Sequence, residues 1–162
     1  MPAHPQPHPH ANASPPAASA RPGLHLVTLG VADLPQAAAF YTAFGFERRG
    51  KAHENVAFFE AGHLILSLYP SQALARDAEV TDLDASGAFR GITLACNTAS
   101  EAEVDTLMAR AASLGARILR PAQPIFWGGY MGYFADRDGH VWEIAYNPYF
   151  PFDAAGRLVV PD

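Results

Sequence analysis

Cysteine is nearly absent from this sequence, and the single residue, Cys96, cannot form an internal disulfide. The fold therefore does not depend on disulfides, and a cytoplasmic location fits this use of cysteine. No apolar run approaches the roughly 20 residues that a membrane-spanning helix needs. Basic residues are also scarce, with 11 Lys and Arg against 16 Asp and Glu. These shortages predict a globular protein with neither a membrane nor a nucleic acid as its partner.

Proline is unevenly distributed along the 162 residues. Seven of the 14 prolines precede Gly23, and residues 1–22 contain Arg21 as their only formally charged side chain. Such a segment buries too little apolar surface to offset the entropy of ordering it, so we predict a disordered tail over residues 1–22. We predict one domain over residues 23–150 and a C-terminal extension over residues 151–162.

A weak internal repeat divides this domain. The β-prone run Leu26–Leu29 parallels Gly91–Leu94, and the hairpin segment Gly62–Leu66 parallels Gly139–Glu143. Runs of this kind favour strands. The repeat therefore predicts two similar halves built in the same order.

A helix is predicted after the first strand of each half. In the first half Asp33 is a suitable N-cap and Gly45 a suitable C-terminal residue. In the second half Ser100 and Glu103 form a capping-box pattern, and Gly115 ends the apolar periodicity. Both segments have apolar residues at helical spacing.

Together these elements predict an α+β fold of two βαβββ modules. Module one covers residues 23–70, a linker covers 71–90, and module two covers 91–150. Each helix can cover only one face of its sheet, so the two modules are expected to form a curved mixed sheet around a groove. Grooves of this kind bind small molecules.

The order of the motifs resembles the vicinal oxygen chelate superfamily, which includes glyoxalase I, bleomycin-resistance proteins and extradiol dioxygenases. The motifs that carry the resemblance are Val27–Leu34, Phe40–Tyr41, Phe44–Phe46 and Phe134–Glu143. The segment Asn147–Pro151 also resembles that of uncharacterised glyoxalase-like bacterial proteins. The resemblance implies a fold of paired modules with a ligand groove, and a homodimer.

Metal-dependent members of this superfamily bind one divalent ion through residues on the first and last strands of each half. The repeat places Leu26, Leu66, Gly91 and Glu143 at those positions. Only Glu143 has a side chain that can coordinate a metal, and one carboxylate is too few for a specific site. We therefore predict neither a metal nor another cofactor.

Other potential ligands are expected to lie elsewhere. Side chains alternate between the two faces of a strand, so His25 and Cys96 should point away from the groove. His63 and His140 occupy equivalent hairpin positions in the repeat, which favours a structural role in the turns.

The same alternation, taken from Glu143, identifies the groove side of each strand. Glu143 is the candidate catalytic residue. It is either paired with Arg120 or Arg90, or solvated, or an unpaired carboxylate acting as a general acid or base. The predicted ligand-binding residues are Thr28, Thr93, Trp127, Met131, Tyr133, Glu143 and Asn147.

These residues predict a glyoxalase-like or bleomycin-resistance-like protein that binds a small organic molecule in its groove without the usual metal. A cationic aromatic ligand would suit the negative net charge and the aromatic groove. The alternative is a metal-dependent lyase, isomerase or dioxygenase that uses Glu143 with atypical ligands such as His25 or His53. The residues leave open whether the protein is an enzyme. A third hypothesis is that the groove is vestigial and that the protein acts through oligomerisation.

Overall fold

A computed structural model describes residues 24–50, 55–79 and 91–161. The predicted tail, His53 and Arg90 lie outside the described residues. The elements are β1 (Leu26–Val31), α1 (Leu34–Phe44), β2 (Glu47–Arg49), β3 (Ala57–Ala61), β4 (Leu64–Pro70), α2 (Ser71–Asp77), β5 (Leu94–Thr98), α3 (Glu101–Ser113), β6 (Arg117–Pro124), β7 (Tyr130–Ala135) and β8 (Val141–Tyr146).

The strands form two four-stranded sheets with identical topology. The first sheet has the order β1-β4-β3-β2 and the second has the order β5-β8-β7-β6. In each, the first strand runs parallel to the last, and the other neighbours are antiparallel. The predicted α+β fold of two βαβββ modules is confirmed, and the sheets do not close into a barrel.

The predicted helix caps are present. The Asp33 carboxylate accepts from the backbone N–H of Gln36, and Gly45 follows the last residue of α1 with φ 122°. The Ser100 hydroxyl accepts from the N–H of Glu103, whose carboxylate accepts from the N–H of Ala99. Within the described ranges, no helix is long and apolar enough to cross a membrane.

Both modules contribute to one core because α1 packs against both sheets. The Tyr41 ring lies 6.2 Å from Phe59 in the first sheet and 5.8 Å from Trp142 in the second. Phe40 and Phe44 both contact Phe134 of β7. Burial of these large rings stabilises each sheet against the other.

A buried polar network lies within this aromatic core. The Tyr41 hydroxyl donates to Asp136 Oδ2 at 2.6 Å and accepts from Trp142 Nε1 at 3.1 Å. The other carboxylate oxygen of Asp136 accepts from the N–H groups of Asp138 and His140. Burial and the neighbouring Asp136 charge raise the pKa of Tyr41 far above its ordinary value, so this hydroxyl remains a donor.

The connection between β7 and β8 also contacts the start of the first module. Asp138 Oδ1 accepts from the N–H of Ala32 at 2.7 Å, and His140 Nε2 lies 2.8 Å from the carbonyl oxygen of Gly30. His63, by contrast, is exposed in a two-residue turn. The predicted equivalence of His63 and His140 is therefore wrong, because the β7–β8 connection is longer and reaches the other module.

The segment predicted as a linker contains α2, a helix that was not predicted. This helix packs against β1 at Gly30, where an added Cβ would lie 3.0 Å from Ser71 Oγ and 3.2 Å from Ser71 Cα. Leu29 and Val31 on either side face the core. The helix therefore covers the end of the other face of the first sheet.

We expect Tyr41→Phe to lower the free energy of unfolding by about 2 kcal/mol, because it removes the buried hydrogen-bond partner of Asp136 Oδ2 and of the Trp142 indole N–H. Urea denaturation measures this change. Tyr130→Phe is the matched control, since the Tyr130 hydroxyl donates to Asp105 at the surface and its loss should cost less than about 0.5 kcal/mol. Equal losses in the two variants would contradict a central role for the buried network.

Candidate functional site

The second sheet turns one face toward the shared core and the other away from it, and we call the latter its distal face. Trp142 and Ile144 of β8 are buried in the core, so Glu143 between them lies on the distal face. Phe134 of β7 is likewise in the core, and Tyr133 and Met131 lie on the distal face, half-buried. The structure thus brings together three of the predicted site residues.

Tyr133 and Glu143 form the polar centre of the distal face. They are directly opposite each other in the β7–β8 register, and the Tyr133 hydroxyl donates to Glu143 Oε2. Burial, together with the hydrogen bond and the charge of Glu143, raises the pKa of Tyr133 to about 12. The phenol therefore stays protonated at neutral pH and acts as a donor.

Arg120 extends this pair into a row across the sheet. It lies opposite Tyr133 in the β6–β7 register, while Ala95 of β5 lies opposite Glu143 on the other side. The positive charge of Arg120 lowers the pKa of Tyr133, against the larger effects of burial and Glu143. We call Arg120, Tyr133 and Glu143 the polar row.

Glu143 is bonded to Tyr133 and not to Arg120, one of the two arginines suggested as its partner; the other, Arg90, lies outside the described residues. In the described part of the chain, no ion pair joins Arg120 to Glu143, since Tyr133 lies between them. The side-chain oxygen of Gln123, oriented toward Arg120, accepts from Nε at 2.8 Å and from Nη2 at 3.2 Å. Sequence alternation did not place Arg120 because β6 has two register irregularities, one on each side of it.

Trp127 lies in the turn between β6 and β7, at the end of the distal face. A Cβ added at Gly129 would lie 2.1 Å from two atoms of the Trp127 ring, so the indole covers the position of the missing side chain. Gly129 has the same strand parity as Met131 and Tyr133, which places the indole beside the distal face. The position of Trp127 at the mouth of a groove stays a prediction.

The remaining predicted ligand-binding residues are not members of the polar row. Thr28 is half-buried on the first sheet, opposite Ser67 of β4. Thr93 was expected within a strand that begins at Gly91, but β5 begins at Leu94, so Thr93 is exposed just before it. The Asn147 side-chain oxygen accepts a hydrogen bond from the N–H of Tyr149, so this side chain already has a partner in the turn after β8.

The assignment of Leu66 to a metal-ligand position is wrong, because Leu66 is buried in the core. The β4 residue on the opposite face of the first sheet is Ser67, which pairs with Thr28 of β1 in the same way as Glu143 of β8 pairs with Ala95 of β5. The two hairpin connections differ in length, so aligning their glycines shifts β4 by one residue. A one-residue shift reverses which face a side chain occupies.

The donor set near Glu143 does not fit a divalent ion. Over the described ranges, no three or more His, Cys, Asp and Glu side chains lie close enough together to hold a metal. Cys96 packs against the core, where burial raises the pKa of its thiol to about 11. His25 is exposed just before β1. A specific site needs several ligands, and the described residues at the polar row supply one carboxylate.

An open pocket of about 430 Å³ lies beyond the end of β5, where Phe152 approaches the start of α3. Three of its four polar side chains, those of Thr98, Glu103 and Thr106, already have partners. The Thr98 hydroxyl lies 3.0 Å from the carbonyl oxygen of Ser100, and the Glu103 carboxylate accepts from the N–H of Ala99. Within the described residues, the side chains of the polar row make no hydrogen bonds to the backbone, so the polar row is the stronger candidate for a ligand site.

Paired βαβββ modules with one helix each define a class of glyoxalase-like folds, and the sequence agrees with that class. Residues 23–144 match the model of the Glyoxalase/Bleomycin resistance protein/Dioxygenase superfamily. The chain belongs to this superfamily, as the resemblance in its motifs predicted.

Solved structures support the same assignment. A glyoxalase-related enzyme from Fulvimarina pelagi is 35% identical, with a TM-score of 0.77 over 86% of this chain and 99% of that chain. A glyoxalase/bleomycin resistance protein/dioxygenase from Nocardioides is 25% identical, with a TM-score of 0.65 over 80% and 86% of the two chains. Lactoylglutathione lyase from Agrobacterium tumefaciens, at 23% identity, shares the fold with a TM-score of 0.57 over 86% and 100%. No curated protein matches the chain.

The polar row predicts opposite shifts in the pKa of Tyr133. Glu143→Gln should lower it, because the variant removes the negative charge that opposes ionisation, whereas Arg120→Gln should raise it by removing a positive charge. NMR titration of ¹³C-tyrosine between neutral and alkaline pH measures both shifts. Shifts of the same sign in the two variants, or none in either, would contradict the row.

Gly129→Ala should displace Trp127 from the distal face, because the new methyl group would occupy the position of the indole ring. Acrylamide quenching of tryptophan fluorescence should then increase, while buried Trp142 stays protected in both proteins. Trp127→Phe identifies which signal belongs to Trp127. Identical quenching before and after the alanine substitution would show that the indole does not depend on Gly129.

Proposed function

We propose that this protein binds a small organic molecule on the distal face of its second sheet and uses hydrogen bonds from the polar row in place of a divalent ion. The observation that carries the proposal is the pairing of Glu143 with the Tyr133 hydroxyl. In this arrangement the carboxylate is oriented by a protein donor and needs no metal to hold it.

The surroundings of the pair suit recognition of a ligand. Small-molecule sites combine apolar walls with a few polar groups that fix orientation. Met131 lies beside Tyr133 on the same face, and the Trp127 indole lies at the end of that face. These two side chains provide apolar contact area, and the polar row provides directional hydrogen bonds.

Catalysis is the second candidate function, and the same pair favours it. Glu143 could accept a proton from a bound molecule while the Tyr133 hydroxyl turns from Glu143 and donates its hydrogen bond to the developing oxyanion instead, as in a lyase or isomerase. Tyr133 is bonded to Glu143, and Arg120 lies opposite Tyr133 on the next strand, so both groups are near enough to this carboxylate to assist such a step. A metal-dependent form, dioxygenase chemistry included, would need ligands such as His25 or His53 in addition to Glu143.

We also propose that the protein is a cytoplasmic homodimer. Membership of the superfamily supports pairing of two chains. Exposed apolar side chains, including fully exposed Phe126, provide surface that a second chain would cover.

Ligand binding and its dependence on metal are tested together on the full chain. A panel of metabolites and antibiotics is screened by the rise in melting temperature, and the dissociation constant of each compound that raises it is measured with and without a chelator. We expect no effect of the chelator, and about tenfold weaker binding for Glu143→Gln because one charge-assisted hydrogen bond is lost.

Glu47→Gln is the control, since Glu47 pairs with Arg49 in the first sheet, away from the polar row. Binding that disappears with the chelator would contradict the proposal and favour the metal-dependent enzyme. Equal affinities of the two glutamine variants would show that the ligand does not contact Glu143.

A further inference from the structure

We propose that the ligand of the distal face is a zwitterion or similarly dipolar molecule, with a carboxylate that binds Arg120 and an ammonium group that binds Glu143. This inference rests on the proposed function and names its ligand class. It replaces the purely cationic ligand expected from the sequence, because Arg120 belongs to the same row as Glu143.

The row orders its charges across three strands. Arg120 on β6 lies opposite Tyr133 on β7, which lies opposite Glu143 on β8. The backbones of the outer two strands are therefore about 10 Å apart. The Tyr133 phenol occupies the centre and bonds to Glu143, so the carboxylate and the guanidinium remain separated.

The guanidinium of Arg120 is oriented but keeps donors for a ligand. Gln123 accepts from Nε and Nη2, whereas Arg guanidinium has five N–H donors. Two other arginines are neutralised by carboxylates: Arg49 by Glu47 and Glu60, and Arg157 by Asp153. Over residues 24–50, 55–79 and 91–161, no such ion pair includes Arg120.

Charge complementarity then selects the ligand. A molecule with only a positive charge gains from Glu143 and is repelled by Arg120, and a molecule with only a negative charge meets the reverse. A molecule with one charge at each end gains from both contacts. A flat spacer between the charges would lie over Tyr133 and beside Met131, within reach of the Trp127 indole.

Three probes that share one ring separate these cases. 4-(Aminomethyl)benzoate carries both charges, benzylamine carries only the ammonium group, and benzoate carries only the carboxylate. Titration calorimetry on the full chain should show 4-(aminomethyl)benzoate binding about tenfold tighter than either single-charge probe. Benzylamine binding at least as tightly as the zwitterion, or no binding of any probe, would overturn the inference.

Variants assign each contact. Arg120→Gln should weaken binding of the zwitterion and of benzoate by about tenfold and leave benzylamine unweakened, whereas Glu143→Gln should weaken only the two ammonium probes. Arg48→Gln, an exposed charge on β2 of the other sheet, is the control and should change none of them. Equal effects of Arg120→Gln and Arg48→Gln on the zwitterion would also overturn the inference.

The two proposals fail in different ways. A compound from the panel that lacks a carboxylate but binds through Glu143 without metal would overturn the inference of a zwitterionic ligand and leave the proposed function intact. Binding of the zwitterion that requires a metal would overturn metal-free binding, while the selective effect of Arg120→Gln would still support the carboxylate contact.

Discussion

The buried contact of Tyr41 with Asp136 and Trp142 determines how the two modules meet. Tyr41 belongs to the first module, and both of its partners belong to the second. A buried carboxylate must be hydrogen-bonded, so this contact is satisfied only when α1 lies against the second sheet. The surrounding aromatic rings then pack on the same side, and the faces that they cover become the core faces of both sheets.

The candidate site is a consequence of that packing. Phe134 and Trp142 point into the core, and successive side chains of a strand point to opposite faces, so Tyr133 and Glu143 lie on the other face of the second sheet. Register then places them side by side, and Arg120 completes the row from the next strand. The chemistry of this face therefore differs from that of a metal centre, since a phenol, a guanidinium and one carboxylate do not provide the several ligands that a metal needs.

Sequence alone predicted the parts of this structure that depend on local chemistry. The caps at Asp33 and Ser100 and the alternation of β7 and β8 require only neighbouring residues, and the structure confirms them. The errors at Leu66 and in the equivalence of His63 with His140 arose from two hairpin connections of different length. An alignment of the two halves that matches their glycines does not reveal this difference in length, and a shift of one residue reverses the face assigned to each side chain.

Other features depend on contacts that are distant in sequence. Arg120 was named only as one possible partner of Glu143, because irregularities on both sides of it break the alternation that located Tyr133. The packing of α2 on Gly30 and the partners of Asp136 depend on how separate elements meet in three dimensions. Local propensity contains no information about those contacts.

We propose that the polar row takes the place of a metal in recognising a ligand on the distal face of the second sheet. The most direct measurement is the metal content of the full chain after incubation with zinc, nickel, manganese and ferrous ions and removal of the unbound metal. We predict no ion above background in the wild-type protein or in Glu143→Gln. A stoichiometric divalent ion in the wild-type protein that is lost in Glu143→Gln would contradict the claim.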